Sequence, residues 1–354
     1  MKIFLAGASG VVGARLLPML VEAGHEVVGT TRTAAKFGPL EKAGAQPVAM
    51  DGLDRDSVMH AVTEAKPDVV VHQLTALTNV SNMKKFDAEF AMTNKLRTIG
   101  TDNLLAAARE AGVSRVIAQS YAGWPNERTG GPVKTEDDPL DPHPVPPAQE
   151  TLAAIRYLEQ VVPAAEELDG IVLRYGTFYG PGTGFGEGGA ILEMVRRRRL
   201  PIVGGGGGVW SFVHIDDAAQ ATVSAVVRGS RGVYNIVDDD PAPVSEWLPY
   251  LAESIGAKSP MRVPAWLARP MIGEQGVSVM TQVRGSSNAK AKRELDWHLR
   301  FPSWRHGFPH GAQLIPVNAF RGCGTRCRPW WMTGPAQSSS RSHGGSGGSP
   351  RSGR

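Results

Sequence analysis

The chain begins Met1-Lys-Ile-Phe-Leu-Ala-Gly7-Ala-Ser-Gly10-Val-Val-Gly13, an apolar segment that runs directly into three glycines spaced GxxGxxG. The run Ile3–Ala6 predicts a buried strand, and residues Val12–Ala23 predict the helix that follows it. Glycines allow a tight turn between such elements and let a phosphate approach the backbone closely. The N-terminus of the following helix offers free N–H groups and a positive dipole end to an anion. This stretch therefore predicts the diphosphate-binding turn of a dinucleotide-binding fold.

The overall composition is that of a globular protein. The chain has 354 residues, of which 42% are hydrophobic and 20% are charged, and these values are ordinary for a soluble protein. No apolar run approaches the ~20 residues of a membrane span. The amino terminus enters the glycine turn before an apolar signal region forms. We therefore expect a cytoplasmic protein that has no membrane partner.

Charge and cysteine content argue against two further classes of partner. The formal net charge is +4, but residues 309–354 contain six arginines and no acid, so the preceding residues are slightly negative. This balance does not favour a nucleic-acid partner. The two cysteines, Cys323 and Cys327, have no further Cys or His pair at metal-ligand spacing, and we expect no metal site.

Short apolar strands alternate with amphipathic helices over the first part of the chain, which is typical of a parallel sheet. We predict a Rossmann-type doubly wound parallel α/β sheet with a smaller, interleaved C-terminal lobe. The predicted divisions are a dinucleotide-binding domain over residues 1–180, a substrate lobe over 181–308, and a disordered basic Ser/Gly/Arg tail over 309–354. The further strands and the main helices are predicted at Glu26–Gly29, Gln46–Met50, Asp68–His72, Arg115–Ser120, Ile171–Arg174, Asp56–Glu64, Asn94–Ala111 and Gln149–Leu168.

Several motifs in a fixed order extend this picture over residues 1–308. They are the GxxGxxG turn, Asp51 with Leu53, Leu74-Thr75-Ala76, Leu173–Gly176 with Phe178–Pro181, Val213–Ala218, and Asn288–Ala291 with Leu295–Trp297. In these motifs the chain resembles the extended short-chain dehydrogenase/reductases, the NAD(P)-dependent epimerase/dehydratase group. The resemblance implies a nicotinamide dinucleotide cofactor, bound across the carboxyl ends of the strands. The residues implied to contact this cofactor are Gly7, Ser9, Gly10, Val11, Val12, Gly13, Asp51, Gly52, Leu53, Leu74, Thr75, Ala76 and Tyr175.

The choice between NADP and NAD depends on the end of the second strand. NAD-specific sites place an acid about 20 residues beyond the glycine turn, where it binds the ribose 2′-hydroxyl. This chain reads Gly29-Thr30-Thr31-Arg32-Thr33 and has no acid there. A guanidinium is a planar, permanently charged group that suits a phosphate. We therefore predict NADPH as the cofactor, with Arg32 binding the 2′-phosphate and NAD as the alternative.

The catalytic positions depart from the family's pattern. The family usually carries a Ser or Thr after the fifth strand and a YxxxK pair on the next long helix, whose Tyr exchanges a proton with the substrate. A phenol with a pKa of about 10 needs the lysine's charge to work at neutral pH. Ser120 matches the serine, but Pro147 and Thr151 stand at the Tyr and Lys positions.

A reductase of this form needs another acid. Tyr121 ends the fifth strand and Lys134 lies in the loop 123–148 that is expected to border the site, so both join Ser120 as candidate catalytic residues. Tyr179, Trp124 and Trp210 are predicted to contact the substrate. The motif that contains Tyr179 and the glycine run before Trp210 both resemble substrate-facing segments.

These features favour an enzyme that uses NADPH to reduce a carbonyl or a conjugated double bond of a small organic substrate. The alternative is a protein that binds NADP(H) without chemistry and acts as a redox sensor or regulator. A second alternative is a sugar-nucleotide epimerase or dehydratase, which would use NAD. The resemblance also implies a possible homodimer, formed through the helices predicted at Asn94–Ala111 and Gln149–Leu168.

Overall fold

The strands and helices follow the predicted alternation through the part of the chain that the computed structural model describes, residues 1–77 and 82–311. The strands are β1 Lys2–Ala6, β2 Glu26–Thr31, β3 Gln46–Ala49, β4 Val69–His72, β5 Arg115–Tyr121, β6 Val133–Lys134, β7 Asp169–Tyr175, β8 Thr177–Tyr179, β9 Ile202–Val203, β10 Val209–Trp210, β11 Phe212–His214, β12 Gly232–Ile236, β13 Ala242–Pro243, β14 Arg262–Val263 and β15 Gly285–Ser286. The helices are α1 Val11–Glu22, α2 Phe37–Lys42, α3 Arg55–Ala65, α4 Phe86–Lys95, α5 Thr101–Glu110, α6 Gln149–Val161, α7 Ala190–Arg196, α8 Ile215–Val227, α9 Val244–Ser254, α10 Ala265–Thr281, α11 Ala289–Leu295 and α12 Trp304–Gly311. Almost all of the predicted disordered tail lies outside the described residues, and so do both cysteines.

The central sheet has the order β3-β2-β1-β4-β5-β7-β12, and every neighbouring pair of these strands is parallel. The chain winds outward from β1 in one direction and then from β4 in the other. This reversal opens a crevice at the carboxyl ends of β1 and β4, where ligands bind in sheets of this type. The predicted Rossmann-type doubly wound sheet is confirmed.

Helices cover both faces of the sheet, because side chains alternate along each strand. Ile3 and Leu5 of β1 are buried against a cluster that includes Leu16 of α1 and Ala218 of α8. Phe4 belongs to the cluster on the opposite face, with residues of α3, α5 and α6. A sheet buried on both faces is rigid, so the residues at its carboxyl edge are held in fixed positions.

The C-terminal part of the chain contributes to both lobes. Strand β12 forms an edge of the central sheet, and helix α8 packs on α1. A third apolar cluster, built around Trp247, Phe212 and Trp304, forms the core of the smaller lobe. The described residues belong to one compact unit, so the domain boundary at residue 180 stays a prediction.

Two helices differ from their predicted bounds. The helix predicted at Gln149–Leu168 ends at Val161, since Pro163 has no N–H with which to continue the ladder. The helix predicted at Asn94–Ala111 is the end of α4, a π-helical turn at Leu96–Gly100, and α5. Such wide turns often occur at functional sites, and this one carries the buried Arg97.

Substitution of Gly170 tests how closely β7 packs on the end of α6. A Cβ at Gly170 would overlap the backbone carbonyl oxygen of Val162, so backbone has to move. We expect Gly170→Ala to lower the free energy of unfolding by about 2–3 kcal/mol in urea titrations. The control is Gly38→Ala in α2, where a Cβ meets nothing within 4 Å. That change should be neutral or slightly stabilising, and equal unfolding midpoints for the two variants would contradict the packing argument.

Candidate functional site

The glycine turn between β1 and α1 is shaped by backbone approaches that no other residue type permits. Gly7 has a φ of +91°, and a Cβ there would lie 2.7 Å from the Gln73 carbonyl oxygen. A Cβ at Gly13 would overlap the Gly7 carbonyl oxygen and lie 2.7 Å from that of Ala8. Gly10 is the N-cap of α1, and no side chain caps the first N–H groups of this helix. Among the described residues, the first turn of α1 contains no acid. The first N–H groups of α1 therefore remain available to an anion.

The other predicted cofactor residues lie along the same edge, because the carboxyl ends of parallel strands meet there. Arg32 follows β2, Asp51 to Leu53 follow β3, and Leu74 to Ala76 follow β4. The Asp51 carboxylate accepts the Leu53 N–H at 3.0 Å. A Cβ at Gly52 would lie 2.6 Å from the Leu74 side chain. The segments after β3 and β4 therefore pack directly against each other beside the glycine turn.

The end of β2 is tied to the glycine turn. The Gly7 N–H donates to Thr30 Oγ1 at 3.1 Å, and the Ser9 hydroxyl donates to Thr31 Oγ1 at 3.4 Å. Arg32 is exposed and makes no ion pair or hydrogen bond through its side chain with any described residue. Val11 is also 50% exposed at the start of α1. A tight backbone turn, an exposed apolar side chain and a cation without a partner among the described residues fit a dinucleotide.

His72, at the end of β4, holds the next segment in place, and the sequence analysis did not include it. Burial lowers the pKa of His72 to about 4, so the imidazole is neutral. Its Nδ1 accepts the Leu74 N–H at 3.2 Å, and its Nε2 lies 3.2 Å from Thr101 Oγ1. The Ala76 N–H donates to Thr93 Oγ1 at 3.1 Å. The only signal in the sequence was a histidine that ends an apolar strand.

Tyr175, predicted to contact the cofactor, instead lies fully buried in the core beneath the sheet edge. Its hydroxyl accepts from Gln73 Nε2 at 3.0 Å and lies 2.6 Å from Thr222 Oγ1. Burial raises its pKa to about 12. Tyr175 therefore positions Gln73, whose carbonyl oxygen limits the space at Gly7.

Ser120 points away from the carboxyl edge and into a buried ionic cluster. Its hydroxyl donates to the Glu159 carboxylate at 2.6 Å, and Arg174 binds the same carboxylate at 2.9 and 2.6 Å. Ser120 lies directly opposite Arg174 in the β5–β7 register, and both are at least 95% buried. Strand alternation places Ser120 on the same face as Val116 and Ala118, which is the face covered by α3, α5 and α6. The hydroxyl predicted to bond a substrate oxygen is therefore already bound.

Tyr121, the next residue, reaches a small cavity at the same end of β5. The cavity has a volume of about 40 Å³ and brings together three predicted residues, Tyr121, Trp124 and Trp210. The Tyr121 hydroxyl lies 2.9 Å from Thr177 Oγ1. The sequence analysis missed the remaining walls, which come from distant segments: Ala122, Gly123, Thr177, Val209, Ser211, Val279 and Val283.

Tyr179 and Lys134 do not line this cavity. Tyr179 is fully buried in the core of the smaller lobe, where its ring packs edge-on against Phe308 with centroids 5.4 Å apart. Burial and the nearby Asp238 raise the pKa of Tyr179. The Lys134 side chain is 94% buried, and its ammonium pairs with Asp138 at 3.3 Å. The predicted substrate contact of Tyr179 and the catalytic role of Lys134 are thus not supported by this arrangement.

A polar chain runs through Thr151, where the family usually has its lysine. Thr151 donates its hydroxyl to Asp87 at 2.6 Å and accepts from Asn94 Nδ2 at 3.1 Å. Asn94 in turn accepts from Arg97 Nη1 at 3.4 Å. Burial lowers the pKa of Arg97 to about 10, which leaves the guanidinium charged at neutral pH. Burial also raises the pKa of Tyr121, while the Thr177 hydrogen bond and the Arg97 charge oppose that rise.

Among the described residues, no three or more His, Cys, Asp and Glu side chains form a group that could hold a metal ion. None of the described helices combines the length and apolar character needed to cross a bilayer.

Comparisons with known proteins identify the family. The sequence model of the NAD dependent epimerase/dehydratase family matches residues 3–237. The chain is 42% identical over 308 residues to a Streptomyces protein named 3-diazoavenalumate denitrifying reductase, which covers 87% of this chain and 99% of that protein. It is 30% identical over 272 residues to the 2-alkyl-3-oxoalkanoate reductase of Stenotrophomonas maltophilia, covering 73% of this chain and 76% of the relative.

The fold shows the same relationship. The structure of the UDP-glucose 4-epimerase of Thermotoga maritima superimposes with a TM-score of 0.68 at 24% identity, covering 87% of this chain and 96% of that one. Relatives in this family are named as reductases and epimerases, which supports an oxidoreductase enzyme over a silent sensor. The chain belongs to the NAD dependent epimerase/dehydratase family.

Proposed function

We propose that the chain is an NADPH-dependent reductase of a flat, unsaturated organic acid, with an aromatic diazo compound as the leading substrate class. The observation that carries this proposal is the aromatic lining of the cavity at the carboxyl edge of the sheet, where Tyr121, Trp124 and Trp210 meet. Its volume of about 40 Å³ is smaller than a ring, so its walls have to open when a substrate binds. Aromatic and aliphatic walls favour a planar apolar group. The relative at 42% identity is named for a diazo substrate and for its denitrification.

NADPH is the proposed cofactor because Arg32 is exposed, unpaired within the described chain, and placed next to the glycine turn. When NADPH is bound, the chemistry supplied at this site would be hydride transfer, which converts an aryl diazonium ion into the arene and dinitrogen and leaves NADP+. Gly7 to Gly13 would hold the diphosphate, Asp51 to Leu53 the adenine side, and Leu74 to Ala76 the neighbouring segment.

The absence of the family's Tyr and Lys fits this chemistry. An aryl diazonium group carries its own positive charge on nitrogen and leaves as neutral dinitrogen, so no side chain has to protonate it. Pro147 and Thr151 can therefore replace the usual pair without loss of the reaction. The protein then has to position the substrate and exclude water. The walls formed by Trp124 and Trp210 suit that role.

Carbonyl reduction is the second candidate, and a specific observation favours it. The Tyr121 hydroxyl borders the cavity, is protonated at neutral pH because burial raises its pKa, and has a charged guanidinium in its surroundings. It is thus placed to donate a proton to an oxygen beside the hydride acceptor. A relative named as an oxoalkanoate reductase is consistent with this reaction. Sugar-nucleotide epimerisation has less support, because it depends on the missing tyrosine.

Removal of the Tyr121 hydroxyl separates the two candidates. Tyr121→Phe should lower kcat for an aromatic ketone such as benzoylacetate about 100-fold or more, because the proton donor is lost. It should change turnover of a diazonium derivative of benzoate little, since that carbon needs no proton. NADPH oxidation and release of dinitrogen are the measurements. The matched control is Tyr157→Phe, whose hydroxyl bonds Asp102 outside the cavity; equal losses in both reactions for Tyr121→Phe would contradict the assignment.

Arg32 is expected to select the cofactor. Arg32→Ala should weaken NADPH binding by about 10- to 100-fold, because a charge-assisted pair with the 2′-phosphate is lost. NADH, which has no such phosphate, should bind the variant as it binds the parent protein. Dissociation constants from fluorescence titration test this, with Lys42→Ala at the exposed end of α2 as the control. Equal affinity of the parent protein for both dinucleotides would remove Arg32 from this role.

A further inference from the structure

A larger recess lies beside the aromatic cavity and has no role in the function proposed so far. Its volume is about 480 Å³, within the range of ligand sites. A third, much smaller cavity of about 10 Å³ has Trp124 and Val283 in common with the aromatic cavity, and Arg128 and Asp141 in common with the recess. The aromatic cavity and the recess are therefore close in the fold, so the far end of a substrate longer than one ring would lie toward the recess.

Arg284 is the cation of this recess whose side chain has no partner among the described residues. It is partly buried, and its Nε is shielded from solvent without any hydrogen bond. Its side chain forms no ion pair with any residue in the described ranges. The guanidinium has no acceptor among the described residues, and an anion in the recess would provide one for the nitrogens that solvent can still reach. The backbone of Arg284 lies near the aromatic cavity. A Cβ at Gly123, which lines that cavity, would lie 4.0 Å from the Arg284 carbonyl oxygen.

The neighbouring Arg128 has a different role, since its guanidinium is fully engaged. It pairs with Asp141 at 2.8 Å and donates to the His143 carbonyl oxygen at 2.6 Å and to Gln282 Oε1 at 3.0 Å. These contacts hold the loop after β5 against the segment after α10 and neutralise Asp141. Glu127 also borders the recess, so an anion would be bound by directed N–H groups rather than by a positive field.

We propose that the recess is the subsite for the carboxylate of the substrate and that Arg284 is the residue that binds it. The subsite rests on the proposed function, because it binds the carboxylate end of the same substrate whose reacting end is proposed to lie at Tyr121. The planar guanidinium forms two parallel N–H···O bonds with a carboxylate, which gives orientation as well as affinity. Val283 and Arg284 are adjacent in the chain, so one segment contacts the apolar body of the substrate and its charged end.

The test compares an acid with its neutral ester. Cinnamate and methyl cinnamate have the same flat body, and only the former carries a negative charge. We expect the parent protein, in excess NADP+, to bind cinnamate about tenfold more tightly than methyl cinnamate by calorimetric titration. Arg284→Gln should abolish that preference by weakening cinnamate binding alone, and Arg284→Lys should restore part of it. Arg262→Gln, at an exposed arginine of β14, should leave both affinities unchanged.

Any other result contradicts the assignment of the recess as a carboxylate subsite. Equal affinity of the parent protein for acid and ester, an unchanged preference in Arg284→Gln, or no binding of either compound would each do so. Failure of the proposed reductase activity looks different. In that case no diazo or carbonyl compound oxidises NADPH, while the preference for cinnamate and its dependence on Arg284 remain.

Discussion

The close approach of the Gly7 backbone to Gln73 is the constraint on which the rest of the site depends. A Cβ at Gly7 would lie 2.7 Å from the Gln73 carbonyl oxygen, so the turn after β1 and the end of β4 share a space that fits only backbone. The Tyr175 hydroxyl accepts a hydrogen bond from the Gln73 side chain, and His72 Nδ1 accepts one from the Leu74 N–H in the segment that follows. The crevice between β1 and β4 is thus formed by contacts between buried polar groups as well as by strand order.

The parity of strand β5 decides which hydroxyl borders the cavity. Successive side chains of a strand point to opposite faces. Ser120 therefore joins the buried cluster of Glu159 and Arg174, while Tyr121 borders the cavity. A shift of one residue in the register would exchange these two roles. The same cluster binds the end of β5 to β7 and α6, which gives the site a rigid floor.

Sequence motifs predicted the cofactor side of the site better than the substrate side. The glycine turn, Arg32, Asp51 to Leu53 and Leu74 to Ala76 each follow a strand of a parallel sheet, so strand order alone places them on one edge. Their contact with a dinucleotide stays a prediction. The substrate side is assembled from segments far apart in the chain, such as Trp124, Trp210 and Val283. No local pattern encodes their proximity.

The sequence by itself determined the fold class, because strand–helix alternation and glycines at a turn are local features with local physical causes. It also showed that Pro147 and Thr151 replace the usual catalytic pair. Only the tertiary structure decided that Tyr175 and Tyr179 are core residues and that Lys134 is paired with Asp138. It also showed Arg97 linked to Thr151 through Asn94. Burial and pairing depend on which distant segments meet, and that is set by packing of the whole chain rather than by neighbours in sequence.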